Sequence, residues 1–331
     1  MTHESFRIAA AALALGLGLA PGISAAQEQT LRAITAFPSS LAFSQSFLGF
    51  VEMVNERGEG VVQIDYAGGP ENLPQNQQID AVRRGIVDMQ YGPASFYLGR
   101  MPEADAWVGS TVTAMEAREN GGFEVMQQAF SDKLGVELLA HIDSGVQFHI
   151  YTLEEPPRDA EGDLDLDGLQ IRSQPIYRAF FEELGATPIS VNVPDVYTGL
   201  ERNTFDGAGW PIVGIKDLNW DRFLRYRIDP GFFQTDLAVV VSPDSWQRLS
   251  EEARTLLTEV AAEYEQISHD NFQQIVAETD ATVREEGMTV IELDGAARER
   301  FLDLAYDSAW SRMREAGSEH YDALRDAYYD R

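Results

Sequence analysis

Two hydrophobic periods alternate along the chain. Leu31 to Phe37 is an apolar run of strand length. Residues 41–57 then set Phe47, Leu48, Val51 and Val54 on one helical face, and Gly58 stops the pattern. Val62, Ile64 and Tyr66 alternate with polar neighbours as a half-buried strand ended by Gly68-Gly69-Pro70. A helix over about 73–84 follows, then three more strands at "IVDMQY" (86–91), "VELLAHI" (136–142) and "FHIYTL" (148–153). Strands and helices in alternation predict an α/β fold.

The acidic, proline-bearing stretch "EEPPRDAEGDLDLDG" (154–168) reads as a surface crossing into a second lobe. Its aspartates lack the loop glycine and terminal glutamate of an EF-hand, so a solvated loop is expected rather than a calcium site. An internal echo supports two lobes. "AVRRGIVDMQYGP" (81–93) aligns without a gap on "GLERNTFDGAGWP" (199–211), matching Gly85 with Asn203, Asp88 with Asp206 and Pro93 with Pro211. Each copy reads as a helix closed by a residue tolerant of left-handed backbone, then a strand and a proline turn. Ligands of open α/β sheets sit beyond the carboxyl ends of strands, so the expected site is a cleft between the lobes.

From Ser242 the pattern becomes helical. "SPDSWQRL" opens with Ser at the cap and Pro in the first turn, and Ser250-Glu251-Glu252 starts again. Leu256, Leu257, Val260, Tyr264, Ile267 and Val283 continue at helical spacing towards Gly287. Two readings stand here: one long helix bracing both lobes, or two helices with a break near Asp270. "RERFLDLAYDSAWSRMREAG" predicts a further amphipathic helix whose aromatics pack in a core.

The N-terminus adds an address. Ile8 to Ile23 is almost wholly Ala, Leu and Gly after Arg7, and Ser24-Ala25-Ala26 follows, which predicts a secretory signal peptide over residues 1–26. No later apolar stretch approaches ~18 residues, the length of a membrane-spanning helix. The 331-residue chain carries 54 acids against 25 bases, a net charge of −29. Acidity of that size argues against nucleic acid and anionic lipid as partners. The chain has no cysteine, which excludes disulfides and thiol chemistry. It also contains no G-x-S-x-G, phosphate loop, H-E-x-x-H or dinucleotide fingerprint. No enzyme is expected, and a secreted hydrolase of unrecognised type is the distant alternative.

"GLQIRSQP" (168–175), "ELGATPISVNVPDVYTGL" (183–200) and "DGAGWP" (206–211) resemble the second-lobe signature of the DctP family, the solute-binding proteins of TRAP transporters. In the first lobe, "FPSSLAFSQSFLGFVEMVNERGEGVVQIDYAGG" and "QIDAVRRGIVDMQYG" fit the same family's opening pattern. The resemblance implies a two-lobed periplasmic receptor, of α/β periplasmic binding protein fold, that closes on a small organic acid and delivers it to a membrane permease. It favours the long bridging helix, placed at 243–286. The implied lobes are 27–148 with 236–275, and 149–235 with 287–331. A monomer without cofactor is expected. A periplasmic sensor for a kinase, or a zwitterion binder, is the alternative use of such a fold.

The resemblance also implies that Arg172 binds the ligand's carboxylate. A guanidinium offers a planar, bidentate match to a carboxylate, and an empty cleft would leave it hydrated. The competing role is a structural pair with Glu182 or Asp195. Two departures from the family bear on the ligand. Gly209-Trp210 stands where many members carry a Glu-Asn pair, so Trp210 offers a flat face and one N–H, and Gly209 removes the acid expected of a metal bridge. Gln147, Phe148 and His149 stand where many members carry a second arginine, which points to a monocarboxylate. Further expected wall residues are Phe37, Ser40, Tyr91, Phe96, Tyr197, Phe232, Phe233 and Asp236, with closure about residues 148–150 and 234–237.

Overall fold

The computed structural model describes residues 28–330, so the expected signal peptide lies outside the described residues. In chain order these form β1 (Gln29–Thr35), α1 (Ala42–Arg57), β2 (Val62–Tyr66), α2 (Gln75–Arg83), β3 (Met89–Pro93), α3 (Ala104–Val108), α4 (Ala114–Glu119), α5 (Gly122–Leu134) and β4 (Glu137–His141). Next come β5 (Phe148–Thr152), β6 (Gln170–Ser173), α6 (Pro175–Glu183), β7 (Thr187–Ser190), α7 (Val193–Glu201), β8 (Gly207–Pro211) and β9 (Tyr226–Phe232). The remainder is β10 (Leu237–Val241), α8 (Pro243–Arg248), α9 (Glu251–Glu285), β11 (Thr289–Glu292), α10 (Gly295–Glu315) and α11 (Tyr321–Tyr328).

The strands build two sheets, one per lobe. The first runs β2-β1-β3-β10-β4 and the second β11-β9-β5-β8-β6-β7. Within each, one strand arrives from the other lobe and pairs antiparallel with both neighbours: β10 in the first sheet, β5 in the second. The crossings are therefore residues 142–147 and 233–236. This corrects the expectation that 154–168 leads into the second lobe. That loop lies after β5, inside the second lobe, where Asp163 pairs with Arg300 of α10 at 2.5 Å. The true crossing escapes a reading of composition because it is short and partly apolar, with Ile142 and Val146 fully buried.

The sequence echo is a structural repeat. Gly85 and Asn203 both adopt left-handed backbone, at φ 66° and 51°. In the first copy the Asp88 amide donates to the Arg32 carbonyl, and its carboxylate accepts from the Arg32 amide. In the second copy Asp206 makes the same two bonds with Gln170. Each aspartate thus clamps its strand to the parallel neighbour, and each strand ends in a proline beside a crossing: Pro93 opposite Leu237, Pro211 opposite Phe148.

Helix α9 is continuous through Asp270, which decides between the two readings of this region. Ser250 caps it, accepting from the Ala253 amide at 3.1 Å. Leu249 ends α8, so the segment expected at 243–286 is a short helix followed by a long one. The first half of α9 packs on α1 and β4, burying Leu257, Val260, Ala261 and Tyr264. Towards its end Asp280 pairs with Arg227 of β9 at 2.6 Å, so α9 touches both lobes. Helix α10 packs on α6 and β9 but also on α3, and α11 packs on α5 and α3. The C-terminal residues therefore return to the first lobe, a correction to the placement of all of 287–331 in the second. Tyr328, buried against Trp107 and hydrogen-bonded to its indole at 3.1 Å, holds α11 there.

Candidate ligand-binding site

Between the sheets lies a small cavity of about 40 Å³. Phe37, Phe43, Pro93, Ser95 and Phe96 supply the first-lobe wall. Phe148, Gln174, Ile176, Tyr177, Val193, Trp210 and Pro211 supply the second, and Thr235 to Leu237 cross between them. The lobes are shut on one another at this volume, which holds little more than a water.

Arg172 sits near the end of β6 and is fully buried. Its Nε donates to the Val191 carbonyl at 3.1 Å, and Nη1 donates to the Tyr177 hydroxyl at 2.9 Å and the Gly209 carbonyl at 3.1 Å. Nη2 has no hydrogen-bond acceptor among the described residues. No carboxylate pairs with this cation among the described residues. Glu182 instead pairs with Arg178 at 3.1 Å, so a structural ion pair through it is not formed. The guanidinium carbon lies 5.5 Å from the Trp210 ring centre and 5.7 Å from that of Trp220. Burial pulls its pKa below the usual arginine range, with Tyr177 opposing the shift. The expectation of a hydrated cation in an empty cleft is thus corrected. Three protein acceptors and two indoles enclose it, and its open donors are confined to Nη2.

Local sequence explains this pocket. Pro175 opens α6, and Tyr177 in its first turn turns its hydroxyl back onto Gly209, to whose carbonyl it donates at 3.0 Å. Gly209 is required sterically, because a Cβ there would lie 2.8 Å from both Tyr177 and Phe181 ring atoms. Trp210, only 5% exposed, leans on Trp220 at 5.0 Å, and its indole N–H also finds no acceptor among the described residues.

Of the residues expected at the wall, Phe37, Phe96, Trp210 and Asp236 line the cavity, and Arg172 lies behind Trp210. Asp236 accepts from the Ser95 amide at 2.5 Å, and burial pushes its carboxyl up to about 6. The others lie elsewhere. Tyr91 is two residues short of the strand end, stacked on Phe47 at 5.1 Å and donating to Asp143. Phe232 and Phe233 pack in the second-lobe core around Phe180. Tyr197 meets Phe223 edge-on at 5.1 Å. His149 turns its Nδ1 to Asp229 at 2.9 Å, which is the satisfied strand histidine. Gln147 and Ser40 are exposed and outside the cavity lining.

Sequence reasoning missed Phe43, Ser95, Gln174, Tyr177 and Thr235 as wall residues. Tyr177 carried a readable signal, since an aromatic in the first turn after Pro175 falls back over the strand that precedes it.

Residues 33–315 match the family model described as bacterial extracellular solute-binding protein, family 7 (DctP). The chain belongs to this family. Its members bind solutes and are not enzymes. A solute-binding protein of Roseobacter denitrificans is 22% identical over 314 residues, covering 92% of this chain and 93% of its own. The solved structure of that TRAP periplasmic solute-binding protein, with L-galactonate bound, has a TM-score of 0.74 at 20% identity and covers 91% of this chain and 99% of that one. An extracytoplasmic solute receptor of Bordetella pertussis binding pyroglutamic acid has a TM-score of 0.78 at 18% identity, again over 91% and 99%. This family 7 chain therefore has the two-lobed fold of those receptors, and its inter-lobe cavity is the cleft of that fold.

Proposed function

We propose that this protein is the periplasmic receptor of a TRAP transporter, closing on a small monocarboxylate and handing it to the membrane permease. One observation carries the reading: a fully buried arginine with no carboxylate partner and a free Nη2 behind the cleft wall. A buried cation without a counter-ion is costly, and a ligand carboxylate supplies the missing charge. The aromatic and aliphatic lining favours an acid with an apolar or planar body. The named ligands of the two solved relatives, L-galactonate and pyroglutamic acid, are single-carboxylate acids.

A thermal-shift screen over monocarboxylic acids and their amides tests the reading. Acids raise the melting temperature and the matched amides do not. A ligand at ~100 times its Kd adds ~2.7 kcal/mol. Calorimetry on Arg172→Lys then loses 100-fold or so in affinity, the lower end for breaking a buried pair. Lysine retains the charge but not the Nη1 contacts that position it. No acid raising the melting temperature, or wild-type affinity in Arg172→Lys, overturns the assignment.

A further inference from the structure

A second, larger concavity of about 700 Å³ adjoins the cavity and shares Ser95, Phe96 and Gln174 with it. Its wall comes from both lobes and from α10. Among its lining residues are four bases, Arg100, Lys133, Arg178 and Arg312, and no acid. In a chain where acids outnumber bases 54 to 25, that composition runs against the whole surface. Each base is held by an acid that does not itself line the groove: Asp80 for Arg100 at 3.0 Å, Glu319 for Lys133 at 2.9 Å, Glu182 for Arg178 at 3.1 Å and Asp105 for Arg312 at 2.5 Å. The pairs present their positive members to the groove. Arg312 also keeps a buried Nη1 without an acceptor among the described residues.

We propose that this groove is a cationic vestibule that draws organic anions out of solution to the cleft. The inference rests on the organic-acid reading above and extends it to how the ligand arrives. The net charge of −29 repels an anion approaching most of the surface. Screening limits every such field to about 8 Å at physiological salt. A local patch at the mouth, rather than the global charge, then governs the last steps of approach. A concave wall between two low-dielectric lobes focuses that patch and raises the local anion concentration.

The absence of cysteine makes the groove's potential measurable without knowing the ligand. Gly99→Cys, where a Cβ meets open space, reports from the first lobe. The exposed Ser190→Cys reports from the second. Thr255→Cys on α9, where Glu251, Glu252 and Glu259 outnumber the single base Arg57, is the acidic reference. Each variant is reacted with an anionic sulfonatoethyl and a cationic trimethylammonioethyl methanethiosulfonate. At low salt the anionic-to-cationic rate ratio is about ten-fold higher in the groove than at Thr255, within the range that focused fields give. In ~0.5 M salt the difference collapses. The background Arg100→Gln, Lys133→Gln, Arg178→Gln lowers the groove ratio and leaves that at Thr255 unchanged. Equal ratios at all three sites, or a groove preference indifferent to salt, overturn the proposal. These rates do not depend on any bound acid, so a failed acid screen with a high groove ratio sinks the cleft reading alone.

Discussion

The amide of Ala42, the first residue of α1, donates across the cleft to the carboxylate of Asp217 at 3.3 Å. The residue before it, Leu41, has no side chain able to cap the helix, so the opposite lobe supplies the cap. Leu41 in turn lies against Gly214, where a Cβ would come within 3.0 Å of its Cδ1. Both contacts join the first lobe to the second, so they are expected to favour the closed arrangement. An exposed cap contributes roughly 0.5–1 kcal/mol. Asp217→Ala therefore shifts the open-to-closed balance by about two- to five-fold. Small-angle scattering of the variant gives a larger radius of gyration, and the Ala42 amide exchanges faster. An unchanged radius together with unchanged exchange refutes the latch.

Trp210 lines the cavity and is expected to set which acids fit. Trp210→Phe keeps an aromatic face and removes the unpaired indole N–H, and it weakens the wild-type ligand by about ten-fold, a typical loss for one hydrogen bond to a charged group. Trp210→Asn lowers affinity further and moves the preference towards hydroxylated acids. Both variants lose some thermal stability, because the ring packs on Trp220. The discriminating readout is the ratio of affinities for an apolar and a hydroxylated acid. A ratio identical to wild type in both variants removes Trp210 from the specificity wall.

Asp143, in the 142–147 crossing, gives the fold a pH signature. Its carboxylate accepts from Ser46 at 2.6 Å and from Tyr91, yet burial pushes its pKa up to about 7. The unfolded carboxyl titrates near 3.9. Between these values the folded state holds a proton that the unfolded state releases, so stability falls as pH rises through the window. His141, held down to about 4 by burial, acts in the opposite direction. Wild-type melting curves alone mix these two with the buried Asp105 and Asp236, whose carboxyls burial also pushes up to about 6. Asp143→Asn removes only the first, and asparagine tolerates the left-handed φ of 59°. Its melting temperature gains on wild type as pH rises from about 4 to about 7 and keeps that gain above it, and a difference independent of pH contradicts the assignment.

The repeat predicts matched responses at its two left-handed positions. Asn203→Gly is near neutral, since glycine occupies the equivalent place at Gly85. Gly85→Val and Asn203→Val each destabilise by ~1–2 kcal/mol, the cost of left-handed backbone for an L-residue. Urea unfolding of the four proteins measures this. Indifference to valine at either position refutes the equivalence.

Much of the fold was legible because periodic segments commit early to one face. Phe47, Val51 and Val54, set on one helical face by spacing alone, are all buried in α1. The aligned prolines marked both strand ends. What stayed hidden depends on tertiary placement. The crossing at 142–147 is only six residues long and buries Ile142 and Val146, whereas the acidic loop at 154–168 looked like a boundary because it is solvated. Tyr91 and Pro93 share a strand, and only the position of the crossings decides that the proline, not the tyrosine, reaches the cavity. Arg172 was identifiable as a candidate, but its enclosure depends on Tyr177 from α6 and Trp210 from β8, which no local pattern brings together. Propensity left a break near Asp270 open, and packing on α1 and β4 carries α9 straight through it.

The return of α11 to the first lobe has a mechanical consequence. The chain passes between the lobes four times: at 142–147, at 233–236, along α9, and between α10 and α11. Two adjacent passes alone would let the halves twist and shear as well as swing. The two helical passes act as straps, and each resists sideways slip. Opening is thereby expected to reduce to a single hinge-like swing about the paired crossings, with α9, held at both ends, bending like a leaf spring.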